Sequence, residues 1–321
     1  MASTLDLLRR HAAFRPLVGA GFSLWACYTL SQLLSRYAVR SYRGRGSWKW
    51  DKEVIVITGG SGGIGAALVE RFISQGVTVV SLDIKPPPST QVEVRDDKNR
   101  ISVKKENNYH YYQVDLRSRS AVQEVVAQIS ATVGVPTVLI NNAGLGSGRS
   151  LLDCDESSIR SIFDVNILSH FWLAQALLPA MIEADHGHIV SVASVASFVT
   201  IAGNIEYSCT KAGVMSFHEG LGQELKHRYG TKSVLTSIVY PYWVQTPLIQ
   251  NMTTHPSFHD PLIGPEVVAD KIVKHVMRGD RGGEIYLPWY GSLLAGIRGF
   301  PLWLQEFIRD SKAGMLRETT F

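Results

Sequence analysis

Residues 54–65 read VIVITGGSGGIG, a β-branched run that passes directly into a turn rich in glycine. A helical pattern follows through Phe72 and stops near Gly76, and a second apolar run, residues 77–82, ends in Asp83. Strand, glycine turn, helix and strand in this order predict a right-handed βαβ unit. Glycine allows the sharp bend and a close approach of the backbone, so a pyrophosphate could sit at the helix N-terminus. No Lys-Ser or Lys-Thr pair follows the turn, which excludes a mononucleotide P-loop.

Strand and helix patterns keep alternating along the rest of the chain. Apolar runs predict strands at residues 109–114, 138–140, 188–192 and 233–239, and helical periodicity predicts helices at 120–133 and 159–182. Such alternation is typical of the α/β class, here an open, doubly wound, parallel sheet. Residues 86–108 have three consecutive prolines and many polar side chains, and they are expected to form an exposed loop within the domain.

The composition is that of a globular protein with a full core, since 45% of the 321 residues are hydrophobic and 19% are charged. The net charge of +4 is mild, and the basic residues do not form stripes interleaved with aromatics, so nucleic acid is not an expected partner. Three scattered cysteines are too few for a disulfide framework or a zinc site, and no metal is expected.

The N-terminal part carries a candidate membrane segment. Residues 17–34 contain no charged side chain, and arginines flank them on both sides. Eighteen residues just reach the length that spans a bilayer, while an amphipathic or buried helix packed on the domain fits the same pattern. More positive charge follows the segment than precedes it, so a spanning helix would leave the main domain in the cytosol.

We therefore expect three parts: a hydrophobic anchor with a basic connector (residues 1–50), an α/β domain (51–285) and a C-terminal hydrophobic extension (286–321). The extension is rich in Trp, Leu and Phe. It is expected either to form a helix packed on the core or on a partner subunit, or to present a second patch to a membrane or a substrate channel.

Asp83 ends the second strand, close to the ~20-residue separation from the glycine turn at which an acid binds an adenosine ribose. A carboxylate there repels a 2′-phosphate and favours NAD over NADP, a preference that the nearby Lys85 could soften. The alternative is a strand-terminal Asp that serves only as a turn or cap residue.

Tyr207 and Lys211 lie four positions apart in the segment YSCTK. On a helix, both side chains project from one face about a turn apart. An ammonium there would stabilise a tyrosinate and lower the phenol pKa from about 10, which suits a proton donor or acceptor near neutral pH. Solvated helices also place Tyr and Lys at this spacing, so the pair needs support from elsewhere in the chain.

Four motifs together supply that support: Thr58-Gly59-x-x-x-Gly63-x-Gly65, Asn141-Asn142-Ala143-Gly144, Ser194 and Tyr207-x-x-x-Lys211. Their order, and the thirteen positions between Ser194 and Tyr207, resemble the short-chain dehydrogenase/reductase family over about residues 53–250. The resemblance implies a single Rossmann-like catalytic domain and an NAD(P)-dependent oxidoreductase that acts on CH–OH groups. Residues 166–172, residues 186–190 and the N-terminal segment look like its membrane- and lipid-droplet-associated retinol, 17-beta-hydroxysteroid and fatty-alcohol dehydrogenase branch.

The same resemblance implies a role for each matching residue. Tyr207 would be the general acid/base, and Lys211 would lower its pKa and bind the nicotinamide ribose. Ser194 would hold the substrate oxygen. Ser191 and Ser197 are also candidates for this role, and only the spacing from Tyr207 selects Ser194. Asn166 would support a water-mediated proton relay through Lys211, or would only bond backbone within its own helix. The expected cofactor contacts are Thr58, Gly59, Ser61, Gly63, Ile64, Gly65, Asp83, Asp115, Asn142, Ala143, Gly144, Tyr207, Lys211, Val244 and Thr246.

One position departs from the family pattern. Pro241 is followed by Tyr242, where family members usually have glycine, and Trp243 comes next. Thr246 is retained and is expected to meet the carboxamide with Val244 beside it. Tyr242 is expected to narrow the nicotinamide end or the substrate mouth, and residues 252–265 match the family's variable substrate lid.

The expected substrate is a lipophilic alcohol or carbonyl of the retinoid, steroid or fatty-alcohol type. The resemblance also suggests a homodimer or homotetramer, and attachment to the endoplasmic reticulum or to lipid droplets with the catalytic domain in the cytosol. One alternative is a ketoreductase acting on a polyketide-like or other secondary metabolite. A second is a non-catalytic nucleotide-binding scaffold, against which the complete set of Ser194, Tyr207 and Lys211 argues.

Overall fold

The computed structural model describes residues 26–27, 29–31, 33–34, 48–87, 93–95, 101–103, 108–253 and 258–313. The chain divides into two compact units, residues 1–40 and 41–321. The candidate membrane segment, residues 17–34, lies largely outside the described residues. Those of its residues that are described are helical.

A seven-stranded sheet forms the centre of the second unit, in the order β5-β2-β1-β6-β7-β8-β9, and every neighbouring pair of its strands is parallel. This confirms the α/β, Rossmann-like doubly wound fold. The strands are β1 (Val54–Thr58), β2 (Thr78–Asp83), β5 (Tyr109–Gln113), β6 (Val138–Asn141), β7 (Gly187–Val192), β8 (Val234–Pro241) and β9 (Gly283–Leu287). All residues of β1 and β6 are buried, because helices cover both faces of the sheet.

Two helices cover one face of the sheet and three cover the other. On the first face, α1 (Gly63–Ser74) packs against α6 (Pro265–Val276). The second face is covered by α2 (Arg119–Thr132), α4 (Ser169–Glu183) and α5 (Ile205–His227). A shorter helix, α3 (Glu156–Phe163), continues into α4 through one π-helical turn, Asp164–Leu168. The two apolar layers meet the sheet from opposite sides and hold its strand ends in fixed positions.

The structure contains elements that the sequence did not predict, among them the helix α6. Residues 86–108 were expected to be a loop, but they contain a short antiparallel pair, β3 (Glu93–Arg95) and β4 (Ile101–Val103). β9 was not predicted, because its five residues, GEIYL, are too short and mixed to show a clear period. It pairs with β8 along five residues and closes that edge of the sheet.

One helix in the described part of the chain is long and apolar enough to cross a membrane, Glu156–Glu183. Its residues Leu173, Leu177 and Met181 are buried in the layer that packs on the sheet. That packing makes it a core helix of the α/β domain.

The C-terminal segment both packs on the core and exposes aromatic side chains. Ile297 is fully buried beside Phe198 and Tyr240. The last described helix, α7 (Leu302–Ala313), packs Ile308 against the same cluster. Its opposite side exposes Trp303 and Phe307, which are 71% and 69% exposed.

Candidate active site

The carboxyl ends of β1 and β6 lie side by side at the point where the strand order reverses direction. Parallel sheets form their ligand crevice at such a point, because the connections on either side lead to opposite faces. A cleft of about 1060 Å³ opens there. Its wall takes residues from the glycine turn after β1, from the ends of β2, β6, β7 and β8, and from α5.

The glycine turn brings backbone N–H groups to this cleft. Gly59 and Gly63 have φ angles of +66° and +51°, which residues other than glycine rarely adopt. A Cβ on Gly65 would clash with the carbonyl oxygen of Gly59. Any residue other than glycine at position 65 would therefore push the start of the helix away from the strand. The N-cap of α1 is Gly62, no side chain caps the helix, and its first turn holds no acidic residue. These N–H groups can therefore receive a phosphate.

Thr58 and Asn142 brace the two strand ends that flank the crevice. The Thr58 hydroxyl accepts hydrogen bonds from the backbone N–H groups of Asn142 and Ala143, both at 2.9 Å. In return the Asn142 side-chain amide donates to the Thr58 carbonyl at 2.9 Å. Thr58 is buried and does not line the cleft. It holds the Asn142–Gly144 backbone, which does line it.

Two carboxylates line the end of the cleft nearest β2 and β5. Asp83 accepts hydrogen bonds from the backbone N–H of Ser61 at 3.0 Å and that of Lys85 at 3.1 Å. Asp115 is paired with the guanidinium of Arg117, with Nη2 and Oδ2 2.7 Å apart. The hydrogen bond from Arg117 holds the pKa of Asp115 below its usual value. Arg117 also lines the cleft, and the sequence analysis missed it because no motif marks it.

Tyr207 and Lys211 lie one turn apart on α5 and both line the cleft. Lys211 is buried, and its Nζ donates a hydrogen bond to the carbonyl oxygen of Val192 at 2.8 Å. The same Nζ lies 5.5 Å from the centroid of the Tyr207 ring. Burial lowers the pKa of Lys211 to about 8.

The phenol pKa of Tyr207 is shifted upward, in the direction opposite to the one expected from a neighbouring Lys211. Burial raises the pKa of Tyr207 to about 12, and the neighbouring Ser194 hydroxyl acts in the opposite direction. Desolvation is the larger cause, and the Lys211 ammonium is directed to the Val192 carbonyl and not to the phenol oxygen. Tyr207 therefore keeps its proton at neutral pH.

The three serines near the end of β7 occupy different environments. Ser194 lines the cleft and accepts a hydrogen bond from the N–H of Ala196 at 3.1 Å. Ser191 is buried in the strand, and Ser197 is buried and donates to the Lys211 carbonyl at 2.8 Å. Only Ser194 of these three is placed beside Tyr207 in the cleft wall.

Asn166 lies in the π-helical turn and is completely buried. Its amide bonds to both backbone groups of Leu145, accepting from the N–H at 2.7 Å and donating to the carbonyl at 2.8 Å. It also donates to the Thr210 hydroxyl at 3.0 Å. It therefore bonds across to another loop, not within its own helix as the alternative required. Asn166 fixes the loop after Gly144 against α5 and does not itself line the cleft.

The expected cofactor residues fall into two groups. Those that line the cleft are Gly59, Ser61, Gly63, Ile64, Asp83, Asp115, Asn142, Ala143, Gly144, Tyr207, Lys211, Val244 and Thr246. Thr58 and Gly65 stand behind it and shape it. An uncapped helix start, a carboxylate at the end of β2 and two hydroxyls beside a buried lysine fit an extended dinucleotide with its nicotinamide near Tyr207.

The wall beyond Tyr207 is apolar and aromatic. Tyr242 and Trp243, which follow β8, line it together with Leu248, Met252, Leu294 and Ile308. The last two come from the C-terminal segment. Leu294 belongs to the apolar pattern that marks this segment as a candidate channel in the sequence, whereas nothing in the sequence marks Ile308, because only the folded chain brings it to the cleft.

Comparisons with known proteins agree with this geometry. The profile of the short chain dehydrogenase family matches residues 53–257. The chain is 39% identical over 211 residues to Dehydrogenase RED2 of Cochliobolus heterostrophus, which covers 66% of this chain and 75% of that protein. It is 30% identical over 266 residues to human 17-beta-hydroxysteroid dehydrogenase 13, which covers 82% of each.

Among solved structures, a short chain dehydrogenase from Burkholderia cenocepacia in complex with NADP matches with a TM-score of 0.63 and 21% identity. The match covers 80% of this chain and 98% of that chain, and at this identity it shows the fold. The chain belongs to the short-chain dehydrogenase/reductase family of oxidoreductases, in the branch that includes retinol and 17-beta-hydroxysteroid dehydrogenases.

Proposed function

We propose that this protein transfers a hydride between a nicotinamide cofactor and a lipophilic alcohol or carbonyl, with Tyr207 as the group that moves the proton. One observation carries the proposal. Tyr207, Ser194 and Lys211 line the same cleft as the glycine turn and Asp83, with an apolar wall beyond them. A cofactor on the glycine turn and a substrate on the apolar wall would therefore meet at Tyr207.

Each polar group has one task in this scheme. The bound cofactor supplies or accepts the hydride. Tyr207, protonated at neutral pH, donates its hydroxyl proton to the oxygen of a carbonyl substrate and takes it back in the reverse direction. Ser194 donates a second hydrogen bond to the same oxygen, where negative charge builds in the transition state. Lys211 holds a positive charge 5.5 Å from the centroid of the Tyr207 ring, and Asn166 keeps the neighbouring loop in place.

We further propose NAD as the favoured cofactor. The Asp83 carboxylate lines the adenosine end of the cleft, where it would accept hydrogen bonds from ribose hydroxyls and repel a 2′-phosphate. Its two backbone partners, Ser61 and Lys85, fix its position. The ammonium of Lys85 is a cationic group nearby that would favour NADP.

The substrate class follows from the apolar wall and is supported by two relatives named as acting on retinol and on a steroid, at 31% and 30% identity. A retinoid, steroid or fatty alcohol partitions into membranes. The uncharged segment 17–34 and the exposed Trp303 and Phe307 support an enzyme that works at a membrane surface, with its α/β domain in the cytosol at the endoplasmic reticulum or lipid droplets. We propose a homodimer or homotetramer on the family resemblance alone.

The test is a substrate panel read by the absorbance of NADH and NADPH, with the wild type and Tyr207→Phe. We expect turnover of long-chain, retinoid or steroid substrates, and a loss of about 10³-fold or more in kcat for Tyr207→Phe with cofactor affinity retained. Tyr229→Phe, an exposed tyrosine near the end of α5, is the matched control and should keep full activity. Unchanged turnover by Tyr207→Phe refutes the assignment.

The same panel separates the alternatives. Turnover of soluble ketones without any lipophilic alcohol would favour a ketoreductase of secondary metabolites. Cofactor binding without turnover of any substrate would favour a non-catalytic scaffold.

A further inference from the structure

Two aromatic side chains at the substrate end of the cleft share one carboxylate oxygen. The Tyr242 hydroxyl and the Trp243 indole N–H both donate to Oδ2 of Asp260, each at 3.0 Å. Both residues line the cleft, whereas Asp260 does not. The carboxylate therefore holds the two rings from behind the wall that they form.

The segment that carries Asp260 is also tied to the same strand end by its backbone. The N–H of Ile263 donates to the Trp243 carbonyl at 2.8 Å, and the N–H of Gln245 donates to the Ile263 carbonyl at 2.9 Å. The Phe258 ring meets the Trp243 ring edge-on, with centroids 5.6 Å apart. At its other end Tyr242 is fixed by its own N–H, which donates to the Leu287 carbonyl of β9 at 2.7 Å.

This arrangement limits how the two rings can move. A tyrosine or tryptophan in a cleft wall can rotate about its side-chain torsions and change the width of the cleft. Hydrogen bonds to a charged acceptor are stronger than those between neutral groups, and two donors on one oxygen fix both rings at once. The remaining lining of this part of the cleft includes flexible aliphatic side chains, Leu248 and Met252 among them.

We propose that Asp260 is a positioning residue that sets the width of the substrate end of the cleft and thereby selects flat, rigid lipophilic alcohols over flexible ones. This rests on the proposed function, since it concerns the substrate of the same site. The rings form a fixed flat wall, against which a polycyclic or polyene substrate gains contact along its whole length. A flexible chain can fill the cleft whether or not the rings are held.

The experiment compares Asp260→Ala and Asp260→Asn with the wild type, with Asp51→Ala as a control at an exposed carboxylate outside the cleft. For a flat polycyclic alcohol we expect Asp260→Ala to raise KM about tenfold with kcat within about twofold, the size of effect that the loss of a charge-assisted hydrogen bond produces. For a straight-chain alcohol KM should change by less than about twofold. Asp260→Asn keeps an acceptor oxygen and should restore part of the preference.

Tyr242→Phe combined with Trp243→Phe removes both donors and leaves a ring at each position. This double variant should reproduce the KM of Asp260→Ala, and adding Asp260→Ala to it should change KM no further. Additive effects would mean that Asp260 acts on the substrate by some other path, which would overturn the proposal.

Amide hydrogen exchange gives a measurement that needs no turnover. In Asp260→Ala, without cofactor or substrate, we expect exchange at the amides of Gln245 and Ile263 to become about tenfold faster. Unchanged exchange and unchanged KM would overturn the proposal even where the wild type is active on lipophilic alcohols. If the wild type turns over no lipophilic alcohol, the proposed function is refuted, and the proposed selection of substrates is refuted with it. Faster exchange in Asp260→Ala would then still show that Asp260 holds the two rings in place.

Discussion

Replacing Lys211 by methionine should change how the stability of the protein depends on pH. Lys211 is 3% exposed, and burial lowers the pKa of its ammonium from 10.5 to about 8. Between these two values the folded protein loses the proton while the unfolded chain still holds it. The free energy of unfolding therefore rises as the pH rises through this interval, since the unfolded state binds more protons.

The size of the effect follows from the shift. Each pKa unit corresponds to about 1.4 kcal/mol, and integration from pH 7 to pH 10 with the two pKa values yields about 2–3 kcal/mol from this one group. The buried tyrosines affect the free energy of unfolding in a higher pH range. Burial raises the pKa of Tyr207 and that of Tyr111 to about 12, so their contribution is present below pH 10 and is lost above it. The difference between the wild type and a variant without Lys211 therefore isolates this group, because the contribution of the tyrosines cancels.

The assay is urea unfolding of the wild type and Lys211→Met at intervals from pH 7 to pH 10. The wild type should gain about 2–3 kcal/mol relative to the variant across this range, because methionine does not titrate. Lys226→Met, at an exposed lysine on the same helix, is the control for the loss of a lysine as such. A difference between wild type and Lys211→Met that stays constant from pH 7 to pH 10 would refute the reasoning.

Three further predictions concern the cleft and the N-terminal unit. Thr58→Val leaves the N–H groups of Asn142 and Ala143 without their acceptor. It should therefore lower the free energy of unfolding, measured with urea, by about 2–4 kcal/mol, whereas Thr58→Ser should lower it by less than about 1 kcal/mol. Asp83→Ala should weaken the preference for NAD, measured as the ratio of kcat/KM with the two cofactors; a wild type that already prefers NADP would contradict our account of Asp83. Deletion of residues 1–40, a separate compact unit, should move the protein from the membrane pellet to the supernatant, and persistent sedimentation with membranes would assign attachment to the C-terminal segment.

Local patterns were sufficient for most of the fold. A parallel strand buried on both faces is a continuous β-branched run, which is why β1, β2, β6 and β7 could be placed within one or two residues of their observed ends. β9 has no such run, since it lies at the edge of the sheet and only two of its five residues are buried. Its pairing with β8 depends on residues more than forty positions earlier, and no local pattern contains that information.

Motif spacing predicted which residues share the cleft but not how each is bonded. Ser194, Tyr207 and Lys211 meet as the spacing indicates. The direction of the Tyr207 pKa was nevertheless wrong, because burial and the hydrogen bond from Lys211 to Val192 arise only after folding. Asn166 and Thr58 likewise act on backbone groups of distant loops, and not directly on the cleft.

The sequence alone determined the sheet, the glycine turn and the order of the reactive side chains, because these depend on residue type and on spacing within single elements. The tertiary structure decided what borders the cleft beyond Tyr207. Leu294 and Ile308 reach it from the end of the described chain, and Asp260 holds Tyr242 and Trp243 from a separate segment. Such contacts join residues far apart in the chain, and their geometry exists only once the whole domain has packed.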